Sequence, residues 1–443
     1  MIAAVVATGG FAQLVGDRPA GRGASVWFAA VMCASVVSGR MPFTLGCAFA
    51  IWAIVAASRG HAIAAGLLAA LTALASPVAA MFLALAGVAW WWSPRDEDTP
   101  PGPPLTGLAA RAHPRAPLSV AAAAIAVVAL LVAAFPAGGS EPFVPSAFWP
   151  CLAACGVAYW LAPAGRFRTG IALYALLLVA AFAIPSPIGG NAVRLGALLS
   201  GPLGFLVLWP RRRRLFWLLA LPMVWWGLYP PARDWIESET DPATHASYFA
   251  PVVAELARRE AAAPTPGRVE VPFTGRHWEA AHVASAVPLA RGWERQYDRK
   301  VNDVFYKGKL TPARYDAWLR ENAIRWVALP DAHMDPSAIT EAHLVGSGQP
   351  FLQEVWRSEH WRLYAVRDAV PIGVTALRPD GFDAPGAGLV RIRFSPYWAV
   401  IRGQGCVERA AGGWTRVRAS GPVTVGMRFA PGRIVSRGPR CTT

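Results

Sequence analysis

No lysine precedes Lys300, and only Lys307 and Lys309 follow it. Charge of any kind is scarce. Asp, Glu, Lys and Arg make up 16% of the 443 residues, against about 25% in an average soluble domain. The common catalytic signatures are missing too. There is no glycine-rich phosphate loop, no G-x-S-x-G elbow and no H-E-x-x-H pair, which excludes P-loop nucleotide hydrolysis, α/β-hydrolase chemistry and zincin-type proteolysis in their usual forms. Cysteine is sparse at six residues, and no spacing resembles a zinc site. Cys33, Cys47, Cys151 and Cys155 lie in apolar segments and read as small hydrophobes. Cys406 and Cys441 lie in a polar tail and can pair there if the tail faces an oxidising compartment.

What is present is apolar surface. The chain is 54% hydrophobic, has a mean hydropathy of +0.34 and carries 20 tryptophans. These values describe a polytopic membrane protein. The net charge of +15 and pI near 10.2 come from 42 Lys and Arg against 27 Asp and Glu. A nucleic-acid partner is the first reading of such a balance. It is rejected here, because the arginines of residues 1–228 stand singly or in short runs between apolar stretches, as loop charges do.

A bilayer crossing needs roughly 20 apolar residues. The candidate spans are about 1–16, 24–38, 42–58, 61–92, 117–136, 147–163, 169–184, 193–209 and 215–229. Trp90, Trp91, Trp92, Trp149, Trp209, Trp225 and Trp226 fit interfacial belts. Segment 61–92 would make a rod of about 48 Å, too long for one crossing. Ala75-Ser76-Pro77 interrupts it, and proline breaks a helix.

The run Arg211–Arg214 places its loop in the cytoplasm by the positive-inside rule. Counting crossings backward puts 185–193 outside, Arg166 and Arg168 inside, 137–146 outside, and the loop 93–116, with Arg95, Arg111 and Arg115, inside. Counting forward from Arg18 and Arg22 as inside puts Arg40 outside and Arg59 inside. Both ends of 61–92 are then cytoplasmic, so it goes in and comes back as two short helices, a tight hairpin or a re-entrant pair. Twelve of the fourteen arginines in 1–228 lie inside, and only Arg40 and Arg194 lie outside. The first span is apolar from Met1 and short. It reads either as a tilted first helix or as the remainder of a chain with further helices before it.

After about residue 229 the composition becomes polar, and the tail is expected outside. It is read as two parts, an α/β domain over 230–370 and a β-rich, sandwich-like module over 371–443. Residues 246–261 look helical and VEVPFT (269–274) reads as a strand. Thr311-Pro312 caps a helix to about Glu321, RWVAL (325–329) is a strand, and Asp335-Pro336 opens a second capped helix closing near Gly346. LQEVWRSEHWRLYAV (352–366) reads as a hairpin. Short strands are expected at 388–394, 397–402, 405–409, 414–418 and 422–429.

The ionisable groups on the outer side are few, which makes them informative. They are Arg40 in SGRMPF, Glu141 in GGSEPF and Arg194 in GGNAVR, with the amide of Asn191 beside the last. Guanidinium forks suit a phosphate, and a carboxylate nearby suits a general base. The plainer reading has both arginines snorkelling to lipid headgroups and Glu141 as a solvated loop charge. Asp331, His333 and Asp335 form a D-x-H-x-D trio whose residue types suit a metal; the plainer reading is a polar loop with Asp335 as helix cap, and His277 and His282 read as packing or surface residues.

The stretches SGRMPFTLG (38–46), TALASPVAAMFLALAGVAWWW (72–92), SPIGGNAVRLGALLSGPL (186–203) and LARGWERQYDRKVNDVFY (289–306) resemble actinobacterial polytopic membrane proteins, which are similar to the GT-C superfamily of membrane glycosyltransferases. The resemblance implies a GT-C-like α-helical multi-pass bundle followed by an extracytoplasmic α/β domain and a small β-sandwich-like module. It implies transfer of a sugar from a polyprenyl-phosphate donor outside the cytoplasmic membrane, by inverting displacement, often with a divalent metal. The carry-over covers Arg40, Asn191 and Arg194 as lipid-phosphate contacts. The family places its catalytic Asp or Glu in a large first outer loop. This chain has no such loop, since Asp17 falls inside, and Glu141 is the remaining candidate. Arg291, Trp293, Arg295 and Tyr297 in GWERQYDRK and its flank form a second candidate surface, for an acceptor or for docking; the alternative is a charged structural loop. Two other classes stay open: a transporter or lipid-carrier-handling protein, since broken helices mark transporter sites, and a membrane-anchored binding or assembly protein.

Overall fold

The computed structural model describes residues 1–16, 20–92, 116–136, 138–306, 308–436 and 441. Asp17, Arg18, Lys307 and the 93–115 part of the loop expected to be cytoplasmic, with Arg95, Arg111 and Arg115, lie outside the described residues. The chain divides into two compact units, Met1–Glu237 and Ser238–Thr443.

The first unit is helical. Its elements are α1 (Ile2–Val15), α2 (Gly21–Val37), α3 (Met41–Ser58), α4 (Ala62–Ala75), α5 (Pro77–Trp92), α6 (Ala116–Ala134), α7 (Pro145–Leu161), α8 (Arg166–Ala183), α9 (Val193–Leu208) and α10 (Arg213–Thr240). Among the described residues, five stretches are long and apolar enough to cross a membrane: α3, α6, α8, α9 together with the short turn before it, and α10. Helices α1, α2, α4 and α5 are shorter and apolar.

Segment 61–92 is broken where proline and serine predict. Ser76 is extended (φ −158°, ψ 109°), and its Oγ accepts from the Ala79 N–H, capping the helix that Pro77 begins. Packing shows which way each half runs. Gly46, near the start of α3, lies against Ser76 and Ala79, so closely that a side-chain carbon there would sit 2.9 Å from both Cβ atoms. Gly87, near the end of α5, faces the Pro117 carbonyl at the start of α6, and Gly170, at the start of α8, faces Ala89. The break therefore lies at the Met41 end of α3, while Ala62 and Trp92 lie at the Ser58 end. The two halves go in and return.

This sorting gives the bundle two chemically different ends. Arg59, which donates to Gln13 Oε1 at 2.7 Å, shares one end with Arg166, Arg168 and the run Arg211–Arg214. Arg40 and Arg194 lie toward the other. Helix α10 joins the two. At 1.5 Å per residue its 28 residues span about 42 Å. Its apolar character ends near Tyr229, but the helix runs through Pro230 and Pro231 to Thr240. The bundle is held by small-residue and aromatic packing, with Phe11 stacked on Phe28 at 4.4 Å and Ala53, Ala65, Ala69 and Ala80 fully buried where α3, α4 and α5 meet.

The second unit starts with helix α11 (Ala246–Ala261) and contains a four-stranded sheet in the order β1-β2-β4-β3. The strands are β1 (Val269–Glu270), β2 (Trp326–Pro330), β3 (Leu352–Arg357) and β4 (Trp361–Val366); β1 pairs parallel to β2 and the other pairs are antiparallel. Strand β1 is shorter than VEVPFT suggests, because Pro272 offers no N–H to a ladder. Short helices α12 (Glu279–His282) and α13 (Arg295–Val301) follow, then α14 (Pro312–Glu321), capped by Thr311 Oγ1 accepting from Arg314 N–H at 3.3 Å, as expected. The expected helix at Asp335-Pro336 starts later, as α15 (Ile339–Gly346): Asp335 instead closes a turn by accepting from Ser337 N–H at 2.8 Å.

Residues 376–427 form two antiparallel sheets, β7-β10-β9 and β5-β6-β11-β8. Their strands are β5 (Ala376–Arg378), β6 (Gly381–Ala384), β7 (Gly388–Arg393), β8 (Trp398–Arg402), β9 (Gly405–Arg409), β10 (Trp414–Ala419) and β11 (Val423–Met427). Phe382, Val390, Val407, Val417 and Val425 share one buried cluster between them. A disulfide joins Cys406 in β9 to Cys441.

Candidate functional site

The site grows from the break between α8 and α9. Pro185 and Pro187 prevent the helix from continuing, and Gly189–Ala192 makes one tight turn before α9 begins. Gly189 has φ +37°, and a side chain there would collide with the Glu141 carbonyl. Only glycine lets the two segments approach this closely. The Glu141 N–H donates to the Ser186 carbonyl at 3.0 Å, so the loop carrying Glu141 lies directly on the turn carrying Asn191.

Tyr174 fixes the start of α9. Its hydroxyl donates to the Ala192 carbonyl at 2.9 Å and accepts from the Gly196 N–H at 3.0 Å. That N–H belongs to the first turn of α9, where backbone donors lack an intrahelical partner. With its first turn anchored, α9 holds Arg194 in place. The guanidinium lies over the Phe43 ring, 5.5 Å from its centroid, an arrangement that steadies a cation on an aromatic face. Phe43 in turn meets Phe82 edge-on at 6.2 Å.

Arg40 sits three residues before Phe43 in the turn between α2 and α3, where its carbonyl accepts from Thr44 Oγ1. The charges of Arg40 and Glu141 both act on Arg194, and that of Asp234 acts on Arg40. Arg40 and Glu141, both singled out from sequence, thus lie within electrostatic reach of Arg194, with half-buried Asn191 on the adjoining turn. Asp234 was missed. The apolar run stops near Tyr229, so the residues beyond it read as tail; the cue was the charged stretch Arg233–Glu237, spaced to continue a helix.

Beside Arg194 the same helix walls a cavity of about 610 Å³. Leu195, Gly196 and Leu199 of α9 line it, with Phe82, Tyr174 and Trp226 from neighbouring helices. Its lining is almost wholly apolar, and its size falls within the roughly 300–1,000 Å³ of small-molecule sites. A divalent cation does not fit the charged cluster: two guanidiniums compete for the carboxylates, and no group of three His, Cys, Asp or Glu among the described residues is placed to hold a metal.

In the second unit the surface expected around Arg291 divides. Arg291 is no surface residue: it is 3% exposed. Its guanidinium bonds Glu270 and Glu341 and faces Asp298, between the rings of Phe273 and Phe305 at 4.2 and 3.7 Å. Burial opposes its charge, but Glu270, Glu341 and Asp298 outweigh burial and bind its proton more tightly than usual. This is an internal ion cluster, invisible to a reading that takes a charged stretch as solvated. Trp293 is 60% exposed, Arg295 pairs with Asp335 at 2.6 Å, and Tyr297 is half-buried.

The D-x-H-x-D trio does not converge. Asp331 accepts from Tyr248 Oη at 2.8 Å and meets His360 at 3.0 Å, while His333 packs against Gly275. Asp335 turns toward Arg295, Ser337 and His277. His277 lies between two carboxylates, with Nδ1 3.4 Å from Glu279 Oε1 and Nε2 3.6 Å from Asp335 Oδ2. Burial pulls this imidazole down, but the carboxylates outweigh burial and raise it to about 8.

No family model matches the chain, and no curated protein matches it. Among solved structures it is similar to the arabinofuranosyltransferase AftD from mycobacteria, with 16% identity over 87% of this chain and 35% of that one and a TM-score of 0.38. The chain spans about a third of the length of that protein. A superposition at that score carries no argument about the site.

Proposed function

We propose that the chain is a GT-C-like membrane glycosyltransferase, or an inactive relative of one, that takes a polyprenyl-phosphate-linked sugar on the extracytoplasmic face of the cell membrane. One observation carries this reading: a second guanidinium and a carboxylate lie within electrostatic reach of Arg194, at the head of a helix whose next residues wall an apolar cavity. An amphiphile with an anionic head and a hydrocarbon chain matches both halves. Arg194 and Arg40 bind the phosphate oxygens, and the cavity takes the first part of the chain.

The arrangement also supplies the parts of an inverting transfer. Glu141 takes the proton of an acceptor hydroxyl. The acceptor oxygen forms a bond to the anomeric carbon while the bond from that carbon to the phosphate oxygen breaks. The electron pair leaves on the phosphate, where the guanidiniums stabilise the added negative charge. The sidedness follows from arginine: the end rich in Arg59, Arg166, Arg168 and Arg211–Arg214 is cytoplasmic, so Arg40, Arg194 and the second unit face outward.

A second reading, a lipid-carrier-handling or transport protein without transferase activity, draws support from the breaks at Ser76 and at 184–192. The full chain in detergent, with a short-chain polyprenyl phosphate as probe, tests the site. Arg40→Gln and Arg194→Gln are each expected to weaken binding at least tenfold; unchanged affinity in both refutes it. Glu141→Gln should keep lipid binding and abolish sugar transfer. If wild type binds the lipid but transfers nothing to any acceptor, the second reading replaces the first.

A further inference from the structure

The corner around His277 in the second unit is built as a ligand site is built. Trp293 is 60% exposed, and its indole lies nearly parallel to the His277 imidazole (20°), with centroids 5.6 Å apart. His277 is braced in turn against Phe273, edge-on at 5.0 Å. Its backbone has φ +59°, a left-handed conformation that a non-glycine residue keeps only where the surroundings impose it. Glu279 is 1% exposed, and its Oε1, which faces His277, has no hydrogen-bond partner among the described residues. At the far side of the imidazole, Asp335 is locked by Arg295, whose side chain is 42% exposed. A second exposed indole, Trp278, stacks on His282 at the same angle, and His282 stacks on Phe249.

We propose that Trp293, braced on His277, is a platform for one sugar ring of a glycan, with the exposed Arg295 guanidinium, held in place by buried Asp335, hydrogen-bonding its hydroxyls. A sugar ring presents a face of C–H groups and a rim of hydroxyls. An indole held flat takes the first, and a guanidinium donor fixed by its buried carboxylate partner takes the second. An anionic lipid surface fits less well, because Arg295 is already neutralised by Asp335 and exposed Glu294 adjoins it. Calling this glycan the acceptor rests on the transferase reading above; the binding itself does not.

The test uses the full chain in detergent on an array of neutral hexose, pentose and N-acetylhexosamine oligomers, with no lipid donor present, so a failed donor site cannot affect the result. Wild type should retain at least one glycan. Trp293→Ala should weaken that retention at least tenfold, Trp293→Phe should restore most of it, and His277→Asn, which tolerates the left-handed backbone, should fall between. No retained glycan, or equal retention by Trp293→Ala, overturns the proposal. Loss of binding to anionic phospholipid vesicles by Trp293→Ala, with glycan binding intact, overturns it in favour of membrane docking.

Discussion

Deprotonating His277 should loosen the loop that carries it, by an amount set by its shift. The imidazole rises from its ordinary 6.5 to about 8. A gap of 1.5 units is worth about 2 kcal/mol, or about 30-fold in an opening equilibrium. The folded value lies above the unfolded one, so this stabilisation is complete below pH 6.5 and is lost as pH rises through 8. Asp335 behaves oppositely. Although burial opposes it, His277, Ser337 and Arg295 hold its carboxyl below the ordinary range, so its contribution is present above about pH 4 and is lost as pH falls. The two shifts share one contact and count once. Three amides report on the loop: Gly275 N–H donating to the His333 carbonyl, His277 N–H to Thr274 and Asp335 N–H to Phe273. Their hydrogen-exchange protection, corrected for the intrinsic pH dependence, should fall about 30-fold between about pH 5 and 9.5 in wild type. In His277→Asn it should be flat over the same range. Constant protection in wild type, or an equal fall in the variant, refutes the carboxylate clasp.

The bundle offers further tests. Gly189→Ala should push the Glu141 carbonyl away and cut sugar transfer at least tenfold, with helical content by circular dichroism unchanged. Tyr174→Phe removes two hydrogen bonds from the head of α9 and should cost about 1–3 kcal/mol in thermal stability while weakening lipid-phosphate binding, because Arg194 loses its footing. Breaking the Cys406–Cys441 bridge with Cys406→Ser frees a loop of 35 residues and should cost about 3–4 kcal/mol, read as earlier denaturant unfolding of the β-rich module. A cysteine introduced at exposed Ala387 should react with an impermeant maleimide in intact cells; labelling only after permeabilisation reverses the assigned sidedness.

Much of the bundle was legible because the signals were local. Apolar run length set the helices, Ser76-Pro77 set the break, and arginine sidedness set which ends belong together. The Thr311 cap and the 352–366 hairpin were readable for the same reason. What failed to show was set by partners far along the chain. Arg291 sits among charged neighbours in GWERQYDRK, and nothing nearby says that Glu270 and Glu341 will enclose it. Strands β5 and β6, of three and four residues, are too short to display an alternation, and their pairing with each other and with β11 is what makes them strands. Asp234 was hidden because hydropathy marks where an apolar run stops, while a helix stops where its backbone hydrogen bonds do.

The same distinction explains why the candidate site lies where it does. A guanidinium within a bundle is costly unless something compensates it. Arg194 stands over Phe43, close to Glu141 and beside a broken stretch of helix, and the field of Arg40 opposes it. A structural arginine gains nothing from a second arginine. An anionic ligand gains from both, since it is attracted twice and relieves the repulsion between them. An anionic occupant therefore relieves whatever repulsion Glu141 and Asp234 leave uncompensated. Thermal stability of the purified chain should accordingly rise with polyprenyl phosphate in wild type, by about 2.7 kcal/mol at a hundredfold excess over the dissociation constant. Arg40→Gln should make the empty protein more stable and the ligand's effect smaller. An Arg40→Gln protein no more stable than wild type when empty would show that the two charges are already compensated, and the argument for an anionic occupant would fall with it.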